Sequence, residues 1–390
     1  MNSTLDDALL ALQTAGLKRA LRPVRQRKAG SVLLEHDRVA DFASNDYLGL
    51  AADTRIARAA CAVLQAEGTG AGAARLISGH HPIHEALENE IAAFKQCARA
   101  LLFPAGYMAN IGAIPALAGV GDVIYTDELN HASIVDGCRL SKATKRIFPH
   151  GNIDALRALL EADRGHFRRS LIVVEGVFSM DGDVFPLDQL VPLARVYNAW
   201  TYVDDAHGTA IMGRTGRGTA EHFGVSQDID VTVGTLGKAF GTMGAYVAGS
   251  RSLIEFLIST ARAFMFTTGT PPAMAAATLE SLHIVKAEPW RRDAVRDRAR
   301  QLRDRLRAGG REATGLADGH IIAIKIGDPN LTMAIVRDLR RRGFLVGGVR
   351  PPTVPVGTSR LRLSVSAVHP PELIDVFAAS VLEAMRGIVP

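Results

Sequence analysis

Lys238 ends the stretch Val231-Thr-Val-Gly-Thr-Leu-Gly-Lys238, in which a short apolar run gives way to Thr235, Gly237 and a single cation. An ammonium at the end of a buried strand is costly unless it is neutralised or used covalently. Covalent use points to a Schiff base with the aldehyde of pyridoxal 5′-phosphate. The alternative is a lysine whose head reaches water. A nucleotide-binding P-loop is excluded, since Thr232 and Ala239 stand where it needs Gly and Ser or Thr.

Asp204 and His207 share the tip of a second apolar run, Ala199-Trp-Thr-Tyr-Val-Asp-Asp-Ala-His-Gly208. A carboxylate against the pyridine nitrogen of such a cofactor keeps it protonated, which makes the ring an electron sink. An imidazole nearby can bond the cofactor's phenolic oxygen. Taken singly, Asp204 reads as a helix N-cap and His207 as a loop histidine. Together with Lys238 they read as one site.

The elements that must position these groups repeat one pattern of apolar strand, polar tip and helix. It recurs at Ala100–Asn110, Asp122–Ser133, Ser170–Gly182 and Ala199–Gly208. Near-continuous apolar strands alternating with helices predict a mostly parallel sheet covered on both faces, with ligands beyond the carboxyl ends of its strands. The tip residues His131, Glu175, Ser179, Asp204, His207, Thr235 and Lys238 are therefore the site candidates. Gly106 lies between a strand and a helix start, where free N–H groups can hold an anion; an ordinary turn is the other reading.

Around this core, leucines from Leu5 to Leu21 predict an amphipathic helix ending in Lys18, Arg19 and Arg22, with Arg22 read as a solvated terminus. A hairpin is expected around His36-Asp37. Gly68, Gly70 and Ala73 fit a relaxed dinucleotide fingerprint, but the segment before them reads as a helix where that motif needs a strand. His81–Phe94 reads as a helix. The Arg-rich run Arg291–Arg307 is interleaved with Asp and Leu and reads as a solvated amphipathic helix rather than a nucleic-acid surface. The expected division is an arm over residues 1–48, a large domain over 49–288 and a small α+β domain over 289–390, with strands near Ile321–Ile326 and Leu361–Val365.

Composition is that of an ordinary globular chain, 47% hydrophobic and 22% charged, with a net charge of +5 that suits small anionic substrates. Three cysteines without C-x-x-C spacing imply neither a disulfide framework nor a metal site. No apolar stretch is long enough to span a membrane. Asp6 and Asp7 stand where a signal peptide needs basic residues, so a cytoplasmic location is expected.

The motifs Asp204-Asp-Ala-His-Gly208, Thr235-Leu-Gly-Lys-Ala239 and Glu175-Gly-Val-Phe-Ser-Met-Asp-Gly-Asp183 resemble those of the fold-type I α-oxoamine synthases. Ser44-Asn-Asp-Tyr-Leu-Gly49, Ser78-Gly-His80, His131-Ala-Ser133, Thr267-Thr268 and Pro271-Pro272 extend the resemblance, in the expected order, along nearly the whole chain. It implies an α/β fold-type I pyridoxal-phosphate transferase, a homodimer with its site at the subunit interface, and neither metal nor nucleic acid. Carried over residue by residue, the resemblance implies that Lys238 carries the cofactor and acts as base, Asp204 holds the pyridinium, His207 bonds the phenolic oxygen and His131 stacks on the ring. Ser179 and Thr235 contact the cofactor, Gly106 and Tyr107 hold its phosphate, and Thr267 and Thr268 reach the phosphate from the partner subunit. Arg362, assisted by Asn45, pairs with an amino acid carboxylate, while Arg22, Thr353 and Arg350 match substrate positions. Arg350 also reads as a surface loop charge.

Within that family, Arg350-Pro-Pro-Thr-Val-Pro355 resembles the branch joining L-alanine to a pimeloyl thioester, on CoA or acyl carrier protein. A glycine- or serine-using member and a non-catalytic partner subunit stand as alternatives.

Overall fold

The apolar runs become strands in the structure, a computed structural model that describes residues 2–386. The chain divides into two units, one drawn from Met1–Gly49, Met180–Asp183 and Asp293–Pro390, the other from Leu50–Ser179 and Val184–Arg292.

The first segment opens with helix α1 (Asn2–Thr14). The helix expected through Leu21 stops seven residues earlier, because Gly16 turns the chain with φ of 68°. Lys18, Arg19 and Arg22 therefore lie beyond the helix, and Leu5, Leu9 and Leu12 are exposed. Strands β1 (Val24–Lys28), β2 (Ser31–Leu34) and β3 (Asp37–Asp41) follow, with β2 and β3 paired antiparallel from Leu34↔Asp37. That is the expected hairpin; β1 is an additional strand.

The second unit carries α2 (Thr54–Glu67), α3 (Pro82–Lys95), β4 (Arg99–Phe103), α4 (Gly106–Leu117), β5 (Asp122–Asp127), α5 (Ala132–Leu140), β6 (Thr144–Phe148) and α6 (Ile153–Ala162). It continues with β7 (Arg169–Glu175), α7 (Leu187–Val196), β8 (Ala199–Asp204), the short α8 (Thr219–His222), β9 (Val231–Thr235), β10 (Ala245–Gly249), α9 (Arg251–Thr260), α10 (Arg262–Met265) and α11 (Pro272–Ala287). Its sheet has the order β4-β10-β9-β8-β7-β5-β6, and only β10 runs against its neighbours.

Side chains alternate across this sheet. Leu171 and Val173 of β7 enter a core with Ile114 of α4, Ile134 of α5 and Leu257 of α9. Ile172 and Val174 point the other way, into a core with Leu156 of α6 and Leu190 of α7. Both faces are covered, which is why the strands read as unbroken apolar runs. Each buried aliphatic side chain contributes roughly 1.5–3 kcal/mol.

One unit departs from the repeated pattern. After β8 the chain makes a long loop, and only the four residues of α8 are helical. Asp205 holds that loop: its carboxylate accepts the Thr219 hydroxyl, the Thr209 hydroxyl at 3.1 Å and the Lys95 ammonium at 3.3 Å. Both Lys95 and Asp205 are buried. Lys95→Met should leave that carboxylate without its cation and lower unfolding free energy by about 3–5 kcal/mol, read from urea denaturation.

The chain continues through α12 (Trp290–Ala308), the Arg-rich helix, then β11 (Ile321–Gly327), α13 (Pro329–Arg341), β12 (Phe344–Leu345), β13 (Gly347–Val349), β14 (Ser359–Ser364) and α14 (Pro371–Arg386). In the first unit β12 pairs in parallel with β3, which makes the early hairpin part of a four-stranded sheet, and β11-β14-β13 form a second sheet. Among the described residues, no helix is long and apolar enough to cross a membrane.

Candidate active site

Five strand ends of the second unit converge on polar groups. β4, β5, β7, β8 and β9 share one direction, so their carboxyl ends open on the same edge of the sheet. Glu175 and Asp204 end adjacent strands in direct register. Both are buried.

Asp204 is gripped at both oxygens. The Ala206 N–H donates to Oδ1 at 3.0 Å and the Asn110 amide donates to Oδ2 at 2.7 Å. Asn110 also donates to Ser133 Oγ at 2.9 Å and accepts the Tyr202 hydroxyl at 2.8 Å. Ser133 in turn meets His131 Nδ1 at 2.7 Å, and the His131 N–H donates to Glu175 Oε1 at 2.6 Å. A continuous polar chain thus joins the tips of β5, β7 and β8 through α4.

Sequence reading placed His131, Glu175 and Asp204 at the tips but gave no role to Asn110, Ser133 or Tyr202. Asn110 lies one helical turn beyond Gly106, on the face that Gly106 starts, and this is the one signal that could have marked it. Asn130 was missed as well: its amide donates to the Val173 carbonyl at 2.8 Å while its oxygen accepts the Glu175 N–H at 3.1 Å, tying two tips together.

Lys238 is not at the end of a buried strand. It is half-buried, three residues beyond β9, in a loop closed by Leu236 N–H to Gly244 O and by Gly241 N–H to Lys238 O, each 2.9 Å. Burial alone therefore does not force its chemistry. It does stand close enough to the tip residues for its charge to be felt there: it helps to lower the pKa of His131 and opposes the rise at Glu175. Burial, with Asp204 alongside, still pushes the Glu175 carboxyl up to about 8. For His131, loss of solvation is the larger cause, Asp204 opposing it.

Gly106 is the first residue of α4, and a Cβ there would come within 2.6 Å of Thr235 Cγ2. Glycine keeps the helix start close to β9, with its N–H groups free for an anion. The Thr235 hydroxyl donates to Ala206 O at 3.3 Å. Tyr107 is exposed, its hydroxyl donating to Asp136. Ser179 and His207 are buried. This set fits pyridoxal 5′-phosphate: an anion-ready helix start, a buried carboxylate on strand β8 and a half-buried amine.

Thr268 pairs with Ala74, and Gly269 N–H donates to Ala73 O at 2.9 Å. His84, its pKa lowered by burial to about 4, meets the Thr270 carbonyl at 2.8 Å. The glycine-rich segment is thus a loop that braces Thr267–Thr270, and neither a preceding strand nor a helix at Gly70 makes it a dinucleotide site.

The first unit gathers a separate polar group. In β14, alternation puts Arg360, Arg362 and Ser364 on one side. Arg362 is buried and donates to Ser364 Oγ at 3.0 Å, Asn45 Oδ1 at 3.1 Å and Tyr47 Oη at 3.3 Å. Arg360 instead pairs with Asp181. Thr353 is held at 3.1 Å by Arg19, not by Arg22, whose exposed charge acts on Glu35. Arg350 donates to the Gly16 carbonyl, and burial lowers its pKa.

Residues 37–381 match the aminotransferase class I and II family. The chain is 46% identical over 372 residues to the 8-amino-7-oxononanoate synthase of Geobacter sulfurreducens, covering 95% of this chain and 94% of that protein. Among solved structures, the serine palmitoyltransferase of S. paucimobilis with bound PLP-myriocin aldimine superposes with a TM-score of 0.93 at 29% identity, over 99% of this chain and 97% of that one. The 8-amino-7-oxononanoate synthase of Francisella tularensis superposes with a TM-score of 0.78 at 27% identity, over 90% and 98%.

Proposed function

The chain belongs to the 8-amino-7-oxononanoate synthases, pyridoxal-phosphate acyltransferases of the aminotransferase class I and II family, and from that premise we propose that it joins L-alanine to a pimeloyl thioester. The products are 8-amino-7-oxononanoate, carbon dioxide and the free thiol of CoA or acyl carrier protein. The observation that carries the reading is the polar chain from Asp204 through Asn110 and Ser133 to His131, built at the strand tips where Lys238 also stands.

When bound, pyridoxal 5′-phosphate supplies an electron sink for a carbanion at the amino acid's Cα. The protein's part is to place and move charge. Asp204, fixed at both oxygens, would hold the pyridinium nitrogen. Lys238 Nζ is the amine that would hold the cofactor's aldehyde and the base that would take the Cα proton. His207 would bond the phenolic oxygen, His131 would stack on the ring, and Ser179 and Thr235 would contact the cofactor. The N-terminus of α4 at Gly106 and Tyr107 would hold the phosphate, joined by Thr267 and Thr268 of a second copy in a homodimer. Arg362 takes the alanine carboxylate, with Asn45 assisting it; Arg22 and Thr353 are substrate-binding positions, and Arg350 serves the acyl substrate.

Arg362→Lys should raise KM for the amino acid by about 10–100-fold, because an ammonium cannot make two parallel bonds to a carboxylate while also reaching Asn45 and Ser364. Steady-state kinetics with varied L-alanine checks this. The reading as a whole is tested by adding the cofactor, L-alanine and pimeloyl-CoA to purified protein and identifying products by mass. The alanine-derived amino ketone is expected. Product only with glycine or serine would replace the substrate assignment, and absence of a visible lysine-bound cofactor band would overturn the reading.

A further inference from the structure

We propose that Ser133 and Asn110 are positioning residues that hold His131 as a neutral imidazole with its proton on Nε2, a hydrogen-bond donor that takes no part in proton abstraction. Three observations fix the ring. The Ser133 backbone N–H, which can only donate, points at His131 Nδ1 at 3.2 Å. Nδ1 is therefore an acceptor and carries no proton.

The Ser133 hydroxyl lies 2.7 Å from the same nitrogen, and its direction is set one step further along. Asp204 is an acceptor, so the Asn110 group facing its Oδ2 must be the NH2; a reversed amide would place oxygen against oxygen. The second hydrogen of that NH2 goes to Ser133 Oγ, and the Tyr202 hydroxyl fills Oδ1. With its oxygen accepting the Asn110 N–H, the Ser133 hydroxyl turns its own hydrogen toward Nδ1 and donates there. The order of donors runs one way from Asn110 to the imidazole.

His131 also caps the N-terminus of the nine-residue α5, where the helix dipole disfavours a second ring proton. The charged and titratable groups around it are Glu175, which holds its main-chain N–H, Asp204, which favours the charged ring, and Lys238, which opposes it. Turning the ring over would break both contacts with Ser133. Proton work at the site is left to Lys238. The protonation state stands on this geometry; the use of Nε2–H toward substrate rests on the reading above.

Nitrogen NMR of cofactor-loaded protein carrying isotope-labelled histidine tests it, with His131→Asn identifying the resonance. The expected spectrum has a protonated Nε2 and a bare Nδ1, unchanged across neutral pH. Ser133→Ala should raise the titration midpoint of His131 by about half to one pH unit, the equivalent of one hydrogen bond, and Ser133→Thr should restore it. A proton on Nδ1, or an imidazolium at neutral pH in the unaltered protein, overturns the proposal; so does a Ser133→Ala spectrum identical to the parent. If Ser133→Ala does not fold, the spectrum of the unaltered protein decides. No substrate enters this measurement, so its outcome is independent of whether the alanine-derived product forms.

Discussion

Lys238→Ala should lower turnover by about 10⁴-fold or more while the protein stays folded. On the proposed mechanism two functions would be lost in one change: the amine that holds the cofactor's aldehyde and the base that takes the Cα proton. Neither can be supplied by His131, whose Nδ1 is occupied by two donors. The fold should survive, because the loop is closed by main-chain bonds at Leu236, Gly241 and Gly244 that alanine leaves in place. Lys238 is half-buried and outside any strand, so the stability change should stay within about 1 kcal/mol. Product formation and a thermal melt together decide; appreciable turnover in a folded variant would remove Lys238 from its role.

How far the sequence led can be seen at individual residues. The tips were legible because β7 and β8 are mostly apolar and end on Glu175 and Asp204; an apolar run ending in a buried acid has few structural explanations. The parallel sheet followed from the same runs. The end of α1 was misread because leucine spacing persists past Gly16 while the backbone does not. The cost attached to Lys238 was misjudged for a related reason: the apolar run ends at Thr235, and three residues of loop suffice to bring the side chain partly into the open.

Asn110 and Ser133 were barely legible: the pointers were the place of Asn110 one turn beyond Gly106 and that of Ser133 in the motif His131-Ala-Ser133. Their partners lie 94 and 23 residues away, and neither residue type stands out on a helix whose periodicity is already explained by packing. Asp205 shows the complementary case. Adjacent to Asp204 and equally buried, it could be taken for a second site carboxylate. Yet its oxygens are spent on Thr209, Thr219 and Lys95, so one aspartate of the pair serves the loop and the other faces the site.

That division makes Asp204→Asn the second decisive change, with an expected fall in kcat of about 10²–10³-fold and continued, weaker cofactor binding. The substitution is nearly isosteric, but both donors around Asp204 remain. Ala206 N–H and the Asn110 amide each point a hydrogen at a carboxylate oxygen, and an asparagine can offer an oxygen to only one of them. The other donor then faces an NH2, and the chain through Asn110 and Ser133 to His131 is disturbed along with the charge. Asn110→Ala provides the comparison, since it keeps the charge of Asp204 and removes one bond; its loss of kcat should be smaller. Turnover numbers and cofactor dissociation constants for both variants separate charge from placement. Unchanged turnover in Asp204→Asn would mean that another group supports the ring nitrogen, while equal losses in the two variants would mean that Asp204 acts through the geometry of the chain more than through its charge.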